Sequence, residues 1–271
     1  MNIETFNFND GSEYKFAFIE KTQADNSTPV LYIGGALQNI KNIESALKEF
    51  TKKQNTIIFE FSKIPDKYFT NKQIDIDEVT KRISDILSDL GYKNINLICS
   101  SFGGIYANSI TQSKLNIKKC VLAAFGPISQ RGHEYIDNII NSSFINDKEV
   151  LKNQTLETLL NHGEKSNIKN FFFVRKLLSY TLSKLNEDDF KRQLLSCYTL
   201  KNKTKELKVP TCKTLCFTGE YDIFTPYSNI QDLISINDNL SIHKIKNTDH
   251  FCHIQDRKYV ANLTSDFFDE K

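Results

Sequence analysis

The sequence predicts an α/β fold, a mostly parallel sheet flanked by helices, with a helical insertion late in the chain. Three observations carry this reading. Short apolar runs alternate with amphipathic stretches of helical spacing from residue 29 to 125 and again from 211 onward, the rhythm of strand–helix–strand units. The run Ile95–Cys99 breaks at Ser100-Ser101-Phe102-Gly103-Gly104 and resumes at Ile105, which reads as a strand, a sharp turn and a helix start. Between residues 127 and 208 the alternation stops and only helical spacing is found.

Taken in order, residues 3–9 and 14–20 flank the turn signal Asn9-Asp10-Gly11-Ser12 and suit an antiparallel hairpin. Pro29–Ile33 is continuously apolar, as expected of a strand buried on both faces. It ends at Gly34-Gly35-Ala36-Leu37-Gln38, where paired glycines leave backbone N–H groups free at the sheet's carboxyl edge. Ile40, Ile43, Leu47 and Phe50 then mark one face of a helix. The strand Thr56–Phe61 and the helix Ile76–Leu90, apolar at Val79, Ile83, Ile86, Leu87 and Leu90, supply the next unit. Ile117–Phe125 is another buried strand. Helical patterns around Tyr135–Ile140, Leu151–Leu160, Phe171–Leu185 and Phe190–Leu200 follow. They divide the chain into a core of residues 1–126 and 209–271 and a helical lid over 127–208. The rhythm returns at Thr211–Thr218, which runs into Gly219-Glu220-Tyr221-Asp222-Ile223-Phe224-Thr225-Pro226 and a helix. A last strand, Leu240–Ile245, leads to Asn247-Thr248-Asp249-His250-Phe251-Cys252-His253 and a final helix.

A chain of 271 residues can bury one large core. Its net charge of +2, with acids and bases interspersed, offers no basic field for nucleic acid and favours a small-molecule substrate. Met1–Asn7 lacks both a basic start and an apolar core, and no run approaches the roughly 18 apolar residues of a membrane span; a cytoplasmic protein is expected. The six cysteines are scattered without metal-ligand spacing, so buried, reduced thiols are expected, with Cys212 and Cys216 on one face of a strand. Neither a metal nor a cofactor is called for.

The chemistry-bearing residues fall at strand ends. A serine on a strand-to-helix turn projects its hydroxyl above the sheet edge, and small residues two before and two after let the turn close. Ser101 has Cys99 and Gly103 in those places; Ser100 would have Ile98 and Phe102, which are too bulky. Cys99 stands where a glycine is usual, but it is small and soft. Asp222 follows one strand and His250 another, giving a candidate nucleophile, acid and base in chain order. Glu220 is the second candidate acid, but Asp222 lies farther into the loop facing the histidine. His253 is the second candidate base; one helical turn beyond His250, it is expected to point elsewhere.

These motifs give the chain from residue 29 onward a resemblance to the α/β-hydrolase superfamily, through Gly34-Gly35-Ala36, Cys99-Ser100-Ser101-Phe102-Gly103-Gly104, Gly219-Glu220-Tyr221-Asp222 and Asp249-His250-Phe251. The resemblance implies an oxyanion hole with backbone donors from Ala36 and Phe102. Ser101-Phe102-Gly103-Gly104, Ala124-Phe125-Gly126-Pro127 and Gly219–Thr225 also resemble the synthases of hydroxyalkanoyloxy-alkanoates, the lipid precursors of rhamnolipids. Those enzymes join two 3-hydroxyacyl groups supplied as thioesters of acyl carrier protein or coenzyme A. The chain departs from the superfamily pattern at Cys99 and at Ser62-Lys63-Ile64-Pro65, where a glycine turn is common.

Three activities remain open at this level: acyl transfer between ester or thioester substrates, carboxylester or thioester hydrolysis, and non-catalytic ligand binding under the lid. Lys201, Lys203, Lys205 and Lys208 form a candidate docking patch for an acidic carrier protein, or a solvated connector. Phe171-Phe172-Phe173-Val174 with Leu177, Leu178, Leu182 and Leu185 exceed what one packed helix face needs, so they are candidates to line an acyl tunnel.

Overall fold

In the computed structural model the opening hairpin is β1 (Asn2–Asn7) and β2 (Glu13–Ile19), paired antiparallel. It joins the antiparallel edge of β4 (Thr56–Lys63). The remaining strands are parallel: β3 (Val30–Ile33), β5 (Asn94–Ser100), β6 (Asn116–Ala123), β7 (Lys213–Gly219) and β8 (Leu240–Ile245). They form one sheet in the order β1-β2-β4-β3-β5-β6-β7-β8. The structure describes residues 1–20, 28–41, 43, 47, 54–63, 69–70, 73–185, 187–203 and 208–270. The expectations for Phe50, Ile64, Pro65 and Lys205 lie outside them, as do the side chains of Ser62, Lys63 and Lys203.

Period-two alternation sends each central strand's side chains to two layers. Leu31, Ile33, Leu97 and Cys99 pack with Val79, Ile83 and Leu87 of α1 (Ile76–Asp89), and with Ile110 of α2 (Ala107–Thr111). Val30, Tyr32 and Ile98 face the other way, onto the helical residues Ile40, Ile43 and Leu47 and the C-terminal segment's Val260 and Phe267. Asp75 starts α1 by accepting a hydrogen bond from Glu78 N, satisfying an otherwise free donor. A two-residue ribbon, Phe69–Thr70 with Gln73–Ile74, was not expected from the sequence.

The segment between β6 and β7 is helical: α3 (Gln130–Ser142), α4 (Lys148–Leu159), α5 (Phe171–Lys184) and α6 (Glu187–Lys203). These helices bury their own apolar cluster, including Ile136, Leu151, Leu182 and Leu194, over Leu37, Ile223 and Phe224 of the core loops. Phe171 is buried, but Phe172 and Phe173 are 72% and 60% exposed, so these two do not serve the acyl lining expected of them. Lys201 bonds Asp137 at 2.6 Å, which removes it from the expected free basic patch. Cys216 is fully buried, whereas Cys212 precedes β7 and is only partly covered. After β7 come α7 (Tyr227–Gln231), then β8, α8 (Cys252–Gln255) and α9 (Arg257–Asp269). Among the described residues no helix is long and apolar enough to cross a membrane.

Candidate active site

The strand β5 ends in a 3₁₀ turn, Ser101–Tyr106, that continues into α2. Ser101 takes φ = 48°, the left-handed region that side chains normally avoid. Gly103 lets the turn close: a Cβ there would meet Ile33 O at 2.4 Å and Gly34 O at 2.6 Å. The nearest atoms thus belong to the end of β3, not to Cys99, whose thiol is buried in the sheet and pushed strongly upward by desolvation.

The other two candidate residues meet Ser101 because β7 and β8 are parallel neighbours whose loops cross. Gly219 is the crossing point, since a Cβ there would lie 2.1 Å from Asp249 O. Backbone bonds Glu220 N to Ile245 O (3.0 Å) and Tyr221 N to Thr248 O (2.8 Å) hold the two loops together. Glu220, the alternative acid, accepts from Asn247 N at 3.0 Å and so braces the loop. Asp222 is buried and reaches His250: the Nδ1–H donates to Asp222 Oδ2 at 2.9 Å. In that tautomer Nε2 is the acceptor for the Ser101 hydroxyl at 2.8 Å. Ser101, His250 and Asp222 are therefore brought together as one hydrogen-bonded chain.

Four further donors fix the carboxylate. Asp222 Oδ1 accepts from Phe224 N (2.8 Å) and Thr225 N (3.0 Å). Its Oδ2 accepts from the hydroxyls of Thr218 (2.7 Å) and Thr225 (3.0 Å). Burial pushes the Asp222 carboxyl up, but the His250 charge and these hydrogen bonds outweigh it and hold the group below its ordinary value. For His250, burial pulls the other way and is outweighed by Asp222, so the imidazole is held above 6.5. A base works only when neutral. The acid limb of kcat/KM is therefore expected on the alkaline side of an ordinary imidazole, with activity rising as His250 loses its proton; a stopped-assay profile from pH 5 to 9 measures it, and activity that falls as pH rises through that range contradicts the assignment.

His253 departs from expectation. It is buried beside the site and lines the same cavity as Ser101 and His250. Its Nδ1 has no hydrogen-bond partner among the described residues, and burial pushes it down to about 4. It bonds to neither Ser101 nor Asp222, so the structure does not place it as the base.

The Gly34–Gln38 loop lies against the serine: a Cβ on Gly35 would sit 3.1 Å from Ser101 Cβ. Gly35 N donates to Gln38 Oε1 (2.8 Å), and Leu37 N to Gln193 Oε1 of α6 (2.6 Å). Among the described residues no hydrogen bond engages Ala36 N or Phe102 N. The sequence alone did not single out Gln193, Thr218 or Thr225 for a role; Thr225 was visible only as part of a motif, and nothing local marks the other two.

A cavity of about 140 Å³ opens above Ser101. Its walls are apolar, with Ile136 and Ile139 from α3, Leu178 and Leu182 from α5, and Leu194 from α6. Among the described residues no lining side chain carries a fixed charge. Such a site can bind a neutral apolar group with its polar end at the serine.

No family model and no curated protein matches this sequence. Solved structures do match its fold. One is an α/β hydrolase enzyme from a Medee basin deep-sea metagenome library, 18% identical over 99% of this chain and 98% of that one, with a TM-score of 0.78. A second, from work on carboxylesterases of the thaumarchaeon Nitrososphaera gargenis, is 13% identical over 97% of each chain, TM-score 0.77. A thermophilic esterase from Thermogutta terrifontis is 15% identical over 98% of each, TM-score 0.75. With the strand order and crossing loops above, these likenesses establish that the chain has the α/β-hydrolase fold over nearly its whole length.

Proposed function

We propose that the protein is a serine-dependent acyl-transfer enzyme that hydrolyses esters of neutral, apolar carboxylic acids. The observation that carries this reading is the continuous chain Ser101 Oγ, His250 Nε2, His250 Nδ1, Asp222 Oδ2, with contacts of 2.8 and 2.9 Å, at the floor of an uncharged apolar cavity. Several structures of the same fold are described as esterases, which agrees with it. In this mechanism Ser101 Oγ attacks the ester carbonyl carbon, the C=O electron pair moves onto oxygen, and the serine proton passes to His250 Nε2. Ala36 N and Phe102 N receive the oxyanion. Collapse breaks the C–O bond to the alcohol, which leaves with the proton from His250. A second hydroxyl then attacks the acyl-enzyme by the same proton route.

Water as that second hydroxyl gives hydrolysis, and an alcohol gives transfer. The motif resemblance favours one form of transfer, the joining of two 3-hydroxyacyl groups from carrier-protein or coenzyme A thioesters. The pairing of Lys201 with Asp137 leaves less of the basic run for a carrier protein. Product analysis by mass spectrometry decides, with p-nitrophenyl esters from acetyl to decanoyl and with 3-hydroxyacyl thioesters. Specificity is expected to rise about fourfold per methylene, from roughly 0.8 kcal/mol each, until the cavity fills. Free acid alone supports hydrolysis and ester-linked dimers support transfer. Saturable binding without turnover overturns both and leaves a binding protein.

A further inference from the structure

The loop that carries the Ala36 donor is held in a conformation its own sequence does not favour. Gln38 N bonds Gly35 O at 3.4 Å, which closes a tight turn with Leu37 in its third place. Leu37 has φ = 66°. A turn with positive φ in that place normally takes glycine or asparagine, because a Cβ there crowds the following carbonyl oxygen. Such strain persists only where surrounding structure over-determines it. Here the extra restraint comes from the helical segment. Gln193 Oε1 accepts from Leu37 N at 2.6 Å, and the Leu37 side chain is buried in the apolar cluster that includes Leu194 and Cys197 of α6.

We infer that Gln193 is a positioning residue for the oxyanion hole: by holding Leu37 N it fixes the Ala36–Leu37 peptide, which is joined through Ala36 Cα to the Gly35–Ala36 peptide whose oxygen Gln38 N holds, and so sets the direction of Ala36 N toward the developing oxyanion. This rests on the acyl-transfer reading above. Gln193 lies outside the cavity lining and bonds Leu37 N rather than Ser101, so it acts through the loop. Leu194, Cys197 and Leu200 on the same helix line the cavity, so the segment that contacts the acyl chain is also the one that sets the donor. Displacing a preorganised group by about 1 Å costs up to about a hundredfold in rate, which sets the scale of the effect.

The test compares the full-length wild type with Gln193→Met, which keeps length and helix preference but loses the carbonyl acceptor. Gln193→Asn keeps the amide one methylene short, so the test does not depend on one variant folding. With p-nitrophenyl butyrate, kcat is expected to fall about ten- to a hundredfold while KM stays within about twofold. Butylboronic acid, whose tetrahedral adduct with the serine places an oxygen in the hole, is expected to bind more weakly by the same factor. Butyrate, a ground-state ligand, is expected to bind unchanged. Unchanged kcat overturns the inference, as does equal weakening of KM, butyrate and boronate, which marks general damage to the cavity. Ser101→Ala is assayed in parallel: turnover that survives it refutes the acyl-enzyme reading, an outcome separate from the behaviour of Gln193.

Discussion

Ser101→Ala is expected to lower turnover about a million-fold, the scale seen when the nucleophile of a serine–histidine–aspartate set is removed. The substitution takes away only Oγ and its bond to His250 Nε2. The left-handed backbone at position 101 is no worse for alanine than for serine, so the fold should survive and near-UV circular dichroism should be unchanged. A fluorophosphonate probe should label the wild type at Ser101 and leave Ser101→Ala unlabelled. Labelling that persists in the variant would show that the nucleophile is elsewhere.

The second large effect belongs to Asp222→Asn. The amide nitrogen or oxygen can occupy the carboxylate's place, but the site is built for an acceptor: five hydrogen-bond donors converge on the two oxygens. The Phe224 and Thr225 N–H donors hold the amide oxygen in the Oδ1 place, so the NH2 faces Nδ1 and leaves His250 in the tautomer that cannot take the serine proton, with an expected loss of about ten-thousand-fold in kcat. His250→Ala should be at least as damaging. His253→Ala is the control, because His253 shares the cavity without bonding to Ser101 or Asp222; it should cost only a few-fold. If His253→Ala were the more damaging of the two histidine variants, the base would be misassigned. A fully active Asp222→Asn would likewise remove the aspartate from the mechanism.

Much of this was legible before the structure. Buried parallel strands write themselves as short apolar runs, and the broken run at Ser100-Ser101 together with Gly103 marked the turn at the carboxyl edge. Three strand-end residues could be ordered along the chain because each follows its own strand. What stayed hidden are contacts across long sequence separations. Gln193 meets Leu37 across a sequence separation of 156 residues, and no local pattern distinguishes it from any polar residue on an amphipathic helix. The aromatic run Phe171-Phe172-Phe173 misled for a related reason: apolar content tells how much a helix can bury, not which side chains the neighbouring helices cover. At Gly103 the crowding carbonyls belong to Ile33 and Gly34, a contact across neighbouring strand ends that the spacing of small residues around Ser101 does not display.

The backbone at Ser101 also has a thermodynamic side. A non-glycine residue in the left-handed region carries about 1–3 kcal/mol of strain, set against a net stability of only about 5–15 kcal/mol for a typical domain. Selection for stability alone would place glycine there. The rest of the fold therefore has to be stable enough to hold one residue in an unfavourable state, and stability and chemistry pull in opposite directions at that single Cβ.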